Sequence, residues 1–110
     1  MNNQKNIVLC GVGGQGTVLA SKLLAAAAMS KDIPVMSAET IGMAQRGGSV
    51  FSHLRMGNNL YSPMIETGTA DLIIGFEPGE TVRMLPYLKT GGHVVVSTRA
   101  VKPVTATLSG

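Results

Sequence analysis

At 110 residues, with 45% hydrophobic and 14% charged side chains, the chain is sized for one globular domain and is too apolar to be disordered. Nine Lys and Arg against six Asp and Glu leave a net charge of +3. The cations are scattered from Lys5 to Lys102 without interleaved aromatics, which argues against a nucleic-acid surface.

One cysteine, Cys10, excludes an internal disulfide and a four-cysteine iron–sulfur cluster built by this chain alone. The two histidines, His53 and His93, make no zinc-binding spacing, so no metal site is expected. The polar start and the short apolar run after it do not form a secretory leader. The apolar stretch 18–29 is too short to span a bilayer. A cytoplasmic protein with no membrane contact is the expectation.

Ile7 to Cys10 is a continuous apolar run, as in a strand buried on both faces. It leads into Gly11-Val12-Gly13-Gly14-Gln15-Gly16, which fits the G-x-G-x-x-G spacing. In that pattern one glycine makes a tight turn, one admits a phosphate to the backbone, and the third permits close helix–strand packing. The Ala- and Leu-rich segment 17–30 predicts the following helix, with an N-terminus suited to an anion. Leu19, Leu23 and Ala27 beside Ala20, Leu24 and Ala28 predict the sheet-facing stripe, with Ser21 and Lys22 outward. Pro34 rules out continuation of the helix.

Val35 to Ala38 predicts a second strand with Glu39 at its end, where a nucleotide-binding unit would hold a ribose hydroxyl. A solvent-facing carboxylate is the plainer reading of Glu39. Residues 40–49 are glycine-rich and aperiodic and read as a loop. Gly47 and Gly48 allow close approach, and Arg46 offers a planar cation to an anion or a partner surface. Val50 to Met56 alternates, with Val50, Leu54 and Met56 on one face. With Gly57-Asn58-Asn59 as turn, Leu60 to Ser62 would return as a β-hairpin and give the sheet an antiparallel edge. His53 lacks a neighbouring acid or nucleophile in the pattern and reads as structural.

Leu72 to Phe76 predicts a third, parallel strand. A helix then opens at Glu77-Pro78 with Val82 and Leu85 on the sheet, Met84 as a further candidate for that face, and ends near Leu85. Lys89 to Gly92 predicts a turn and His93 to Thr98 a fourth parallel strand. The fold class expected is α/β: a Rossmann-like, mostly parallel sheet with helices on its faces and an antiparallel hairpin. No crossover helix follows residue 98, so the sheet is expected to be incomplete or closed by another chain.

Three segments together carry a more specific resemblance. They are Gly11 to Ala20; Gly42-Met43-Ala44-Gln45-Arg46-Gly47-Gly48-Ser49-Val50 running on to Arg55; and Tyr61-Ser62-Pro63 with Phe76-Glu77-Pro78 and Leu85-Pro86-Tyr87-Leu88-Lys89. In this order the chain resembles the gamma-type domain of 2-oxoacid:ferredoxin oxidoreductases, most of all the beta subunits of the indolepyruvate-oxidising branch.

The resemblance implies one gamma-type domain over residues 1–110, incomplete at its C-terminus. It implies a subunit of an enzyme that decarboxylates a 2-oxoacid to an acyl-coenzyme A and passes electrons to ferredoxin. Thiamine diphosphate and the iron–sulfur clusters are then expected in a larger partner subunit, with ferredoxin an indirect partner and a homodimer as a further assembly. No catalytic residue is expected here. The expected ligand-binding set is Gly11, Gly13, Gly14, Gln15, Gly16, Thr17, Gln45, Arg46, Gly47, Gly48 and Ser49, with coenzyme A at the glycine turn. Glu39 joins that set through its position alone. The rival expectations are a free-standing NAD-dependent oxidoreductase and a nucleotide-binding module, both resting on Glu39.

Overall fold

The computed structural model describes residues 4–12, 16–41 and 49–97, with Ile41 and Ser49 as backbone only. Five strands form one sheet: β1 (Lys5–Val12), β2 (Val35–Ile41), β3 (Ser49–Met56), β4 (Ala70–Gly75) and β5 (Leu88–Val96). Two α-helices, α1 (Thr17–Met29) and α2 (Pro78–Met84), join them, and a 3-10 turn at Leu85–Tyr87 leads from α2 into β5. The order across the sheet is β2-β3-β1-β4-β5. β1, β4 and β5 are parallel neighbours, whereas β3 runs antiparallel to both β1 and β2. The α/β class and the parallel strands agree with the sequence reading.

The hairpin exists but is built from other strands. β3 pairs with β2, Val35 opposite Met56 and Ile41 opposite Val50. Leu60 to Ser62 is not a strand. The antiparallel strand is therefore interior, wedged between β1 and β2, and the edge strand is β2. The turn chemistry at Gly57 and Asn59 is real, with φ of 124° and 61°. It redirects the chain away from the sheet instead of back along it. The segment that follows is tied down by side chains: Arg55 Nη1 donates to the Ser62 carbonyl at 2.9 Å. His53 Nδ1 accepts the Ile65 N–H at 2.9 Å.

The core has two halves, one on each face of the sheet. On one face Ile7, Leu9 and Leu54 are buried beneath α1, with Ala20, Leu24, Leu72, Ile74 and Phe76 packed around them. On the other face Val8, Cys10, Ile65, Ala70, Ile73 and Met84 form a cluster beneath α2. Alternation along β1 and β4 sends successive side chains to opposite faces, so strands buried on both sides read as unbroken apolar runs.

Each helix meets the sheet by part of the face expected: Ala20, Leu24 and Ala28 of α1 and Met84 of α2 pack on it, as read from the sequence. In α1 the buried residues are Thr17, Ser21 and Ala28, while Leu19 and Leu23 are each 61% exposed. In α2 the buried residues are Thr81 and Met84, while Val82 and Leu85 are exposed. Small side chains at the contacts let the helices lie close to the sheet. Gly75 shows this on the β4 side: a Cβ there would overlap the Thr81 side chain. The expected turn at Lys89 to Gly92 lies inside β5, where Gly91 has φ of 84° and the register with β4 shifts. Among the described residues no helix is long and apolar enough to cross a membrane.

Candidate functional site

β1 ends at Val12 and α1 begins at Thr17, so the strand–turn–helix unit read from the sequence is present. α1 lies on one face of the sheet and α2 on the other, and they follow the neighbouring strands β1 and β4. In open α/β sheets the crevice outside the carboxyl ends of two such strands is where ligands bind. The Phe76 N–H donates to the Cys10 carbonyl at 2.8 Å and holds the two strand ends level.

Gly16 is the N-cap of α1, with φ of 87° and ψ of 10° and no side-chain cap. The left-handed backbone demands glycine there. Close packing does not, because among the described residues nothing lies within 4 Å of the position a Cβ would take. The third glycine is therefore conformational, which corrects the expected packing role. The Ala20 N–H reaches the Gly16 carbonyl at 2.9 Å and closes the first turn. The earlier N–H groups of a helix have no intrahelical acceptor and face the turn with the positive end of the dipole.

Thr17 is 3% exposed and its Oγ1 has no hydrogen-bond partner among the described residues. A buried unpaired hydroxyl costs stability, so its presence calls for a reason. A cavity of about 230 Å³ opens beside it, lined by Val12, Gly16, Thr17, Val18 and Val50. The lining is apolar, with the helix N-terminus at one side. It suits a ligand with an anionic group joined to a less polar arm.

The register of β1 with β3 joins the two motifs. Gly11 pairs with Val50 and Val12 with Ser49. Ser49, the last residue of the second motif, thus lies beside the end of β1, although the two motifs are some thirty residues apart in the chain. Gly13, Gly14, Gln15, Gln45, Arg46, Gly47 and Gly48 lie outside the described residues.

Glu39 is not brought to the turn. It is exposed on the edge strand, paired with Ser52, and β3 lies between it and β1. Two strand spacings put it about 10 Å from β1 in the sheet plane. The sequence interval was right for a ribose-binding acid, but the inserted antiparallel strand alters what that interval means.

The remaining chemically active side chains are structural. Burial pushes the Cys10 thiol up, against a weaker contact in the other sense from Thr81 Oγ1 at 3.9 Å. A buried, protonated thiol is a poor nucleophile. Burial likewise lowers the His53 pKa and keeps the ring neutral. That ring lies edge-on to Tyr87 at 5.6 Å and near Phe51 at 6.1 Å. Glu77, the acid next to the crevice, is engaged as the N-cap of α2, accepting the Glu80 N–H at 2.7 Å. Among the described residues, the cavity beside α1 presents Gly16, Thr17 and valine side chains. No signal in the sequence marked Val50 as lining; only the pairing of β3 with β1 brings it to Thr17 and Val18.

Comparison with known proteins adds three findings. Residues 6–109 match the family model described as pyruvate ferredoxin/flavodoxin oxidoreductase. The indolepyruvate oxidoreductase subunit IorB of Pyrococcus horikoshii is 46% identical over 99 residues, which are 90% of this chain and 49% of that protein. Among solved structures, the pyruvate oxidoreductase subunit PORC of Thermotoga maritima superposes with a TM-score of 0.68 at 24% identity, over 96% of this chain and 55% of that one. A 2-oxoglutarate:ferredoxin oxidoreductase from Magnetococcus marinus superposes with a TM-score of 0.76 at 21% identity, over 94% of this chain and 18% of that one. The chain spans about half the length of the curated relatives it matches. A family match over nearly all its residues, joined to this strand–glycine turn–helix unit, places the chain in the pyruvate ferredoxin/flavodoxin oxidoreductase family.

Proposed function

We propose that this chain is the gamma-type subunit of a 2-oxoacid:ferredoxin oxidoreductase, with an indolepyruvate-class aromatic 2-oxoacid as substrate and an acyl-coenzyme A as product. The observation that carries this reading is the 46% identity to an IorB subunit across 90% of the chain. The chain would act within a cytoplasmic complex with a larger subunit that holds thiamine diphosphate and the iron–sulfur clusters, and ferredoxin would take up the electrons.

The chemistry of the chain supports that division. Cys10 is the one cysteine and it is buried, so a four-cysteine cluster does not fit here. Among the described residues no group of His, Cys, Asp or Glu could hold a metal ion. No redox or decarboxylation step is therefore assigned to these side chains.

What the turn does fit is the pyrophosphate of coenzyme A. Gly16 at the N-cap, the first-turn N–H groups of α1 and the Thr17 hydroxyl, which has no partner among the described residues, are donors at this end of the helix. The cavity lined by Val12, Val18 and Val50 would accept the less polar arm. The residues would bind and orient the acyl acceptor while the chemistry proceeds in the partner. Ser49 pairs with Val12 beside this turn, and Gln45, Arg46, Gly47, Gly48 and Ser49 are assigned to the same anion or to the partner's surface.

The test is recovery of the tagged chain from its native source without oxygen, followed by assay of coenzyme A-dependent ferredoxin reduction with indolepyruvate. A brown complex of two unlike subunits with that activity is the expected result. A lone, colourless chain that binds NADH and no partner would overturn the reading in favour of a free-standing nucleotide-binding protein.

A further inference from the structure

A larger cavity, of about 680 Å³, opens at the end of the sheet away from the glycine turn. Asn6 and Asp71, in its lining, come two residues before Val8 and Ile73 on β1 and β4, and so share the face that α2 covers. Six residues of β1 separate Asn6 from Val12, which sets this cavity about 20 Å from the turn. It shares no lining residue with the cavity beside Thr17.

Arg55 is the most constrained group in this lining. Its Nε donates to Asn6 Oδ1 at 3.0 Å, Nη1 to the Ser62 carbonyl at 2.9 Å and Nη2 to Gln4 Oε1 at 3.2 Å. The half-buried guanidinium is thus held at three points by oxygens that carry no charge. A guanidinium has five N–H donors, so two remain. Among the described residues no ion pair reaches Arg55, and Asp71 is paired with Lys89. A fixed fork with an unmatched charge is suited to a carboxylate held by two parallel hydrogen bonds.

Charge narrows the ligand further. Lys5, Arg55 and Lys89 line the cavity with Asp71 and Glu66, which leaves one positive charge. A monocarboxylate neutralises it, whereas a phosphate monoester, with nearly two negative charges at neutral pH, overshoots. Met64 is the one large apolar side chain of the lining, so the site lacks the apolar walls of an ordinary ligand pocket while having the volume of one. The Ser62 hydroxyl accepts the Met64 N–H at 3.1 Å and keeps its own proton to donate. We propose that this cavity binds a small hydroxylated monocarboxylate, with its carboxylate on Arg55 and its hydroxyls beside Ser62 and Thr69. At this distance from the turn the ligand is not a reactant there, and the site is independent of which 2-oxoacid the complex oxidises.

The test uses the protein recovered from its native source, with whatever subunits accompany it, and D-gluconate as the probe, read by saturation-transfer NMR. Gluconate should bind at least about tenfold more tightly than sorbitol, which lacks the carboxylate. Excess coenzyme A should not displace it. R55Q should weaken gluconate binding at least about tenfold, as loss of a bidentate charged contact does. Lys5 and Glu66 are exposed, and their side chains make no hydrogen bond or ion pair among the described residues, so K5Q and E66Q report on the site even where R55Q fails to fold. K5Q should weaken binding and E66Q should strengthen it, each by about two- to fivefold, the range for an exposed charge. Equal binding of gluconate and sorbitol, displacement by coenzyme A, or K5Q and E66Q without effect would each overturn the proposal. So would the absence of saturation transfer at about 20 mM gluconate, a concentration that detects even millimolar affinity.

Discussion

The backbone N–H of Asn6 donates to Asp71 Oδ2 at 2.8 Å, and so ties the start of β1 to the start of β4. Lys89, at the start of β5, pairs with the other carboxylate oxygen. Asn6 also reaches the Thr69 carbonyl at 3.1 Å and accepts from Arg55 Nε at 3.0 Å. Four strand ends are thus joined through one polar network at the end of the sheet opposite the glycine turn.

That network makes an acid-sensitive contribution to stability. Burial pulls the Asp71 pKa up, but the Lys89 ammonium and the Asn6 N–H outweigh it, and the carboxyl sits below its ordinary 3.8. A depressed carboxyl stabilises the fold above the unfolded value and loses that contribution as pH falls through the folded one. D71N should cost about 1–2 kcal/mol at pH 7, the range for a charge-assisted hydrogen bond with a partly exposed ion pair. Urea unfolding of both forms should show the gap closing below pH 4. A gap that persists at pH 2 would mean the carboxylate charge is not its source.

His53 gives a second pH dependence, in a higher window. Its Nδ1 is committed to the Ile65 N–H and burial lowers its pKa below 6.5. The unfolded chain therefore binds a proton first, and stability falls as pH drops below 6.5 toward the folded value, by at most about 1.4 kcal/mol per unit. H53N can present an oxygen to the same N–H and should flatten the stability profile between pH 6.5 and 5. H53L leaves that N–H unpaired and should cost about 1–3 kcal/mol at pH 7.5. Equal slopes for wild type and H53N would refute the assignment.

Much of this architecture could be read from local pattern, and the misreadings share one cause. Ile7–Cys10 and Leu72–Phe76 are dense apolar runs, and strands buried on both faces leave few alternatives, while Val94–Val96 is legible from its β-branched side chains although it is exposed. The Pro78 start of α2 was equally legible because it is a backbone constraint. Pairing is different: alternation in Val50–Met56 reports a buried face but not the partner. The nearby Gly57-Asn58-Asn59 turn suggested Leu60–Ser62, whereas β2 and β1 provide longer ladders. In α1 the apolar surface is broader than the stripe that fits the sheet. Hydrophobicity alone could not show that Ser21 and Thr17 go inward while Leu19 and Leu23 stay out. The meeting of the two motifs at Val12 and Ser49 follows from that same pairing and was invisible for the same reason.

Gly75 should tolerate no side chain while Thr81 keeps its own. A Cβ at Gly75 would run into the Thr81 hydroxyl and methyl, which are held against Cys10 and the Glu77 carbonyl. G75A should destabilise the fold by about 1–3 kcal/mol, as overpacking does. T81A removes the hydroxyl, which is the nearest atom, and the methyl, and leaves the Thr81 Cβ at 2.8 Å from the site, so the overlap is reduced. The double variant should therefore be more stable than the two single losses added together, by at least about 0.5 kcal/mol in a thermal or urea cycle. Strict additivity would show that the contact is relieved by backbone movement.

Thr17 separates ligand binding from folding. Its hydroxyl is buried and unpaired, so T17V removes an unsatisfied polar atom at nearly constant shape. Stability should stay level or rise by up to about 1 kcal/mol, because replacing an unpaired polar group by an apolar one of the same shape is seldom costly. Coenzyme A binding to the assembled complex should move the other way. Loss of one hydrogen bond to a charged phosphate predicts about tenfold or greater weakening by titration calorimetry. The pH dependence of binding should be unchanged, since no titrating group is removed. A variant that is destabilised and binds coenzyme A normally would show that Thr17 has a structural partner and that the ligand does not use it. A variant with intact stability and weakened binding would tie the N-terminus of α1 directly to the anion.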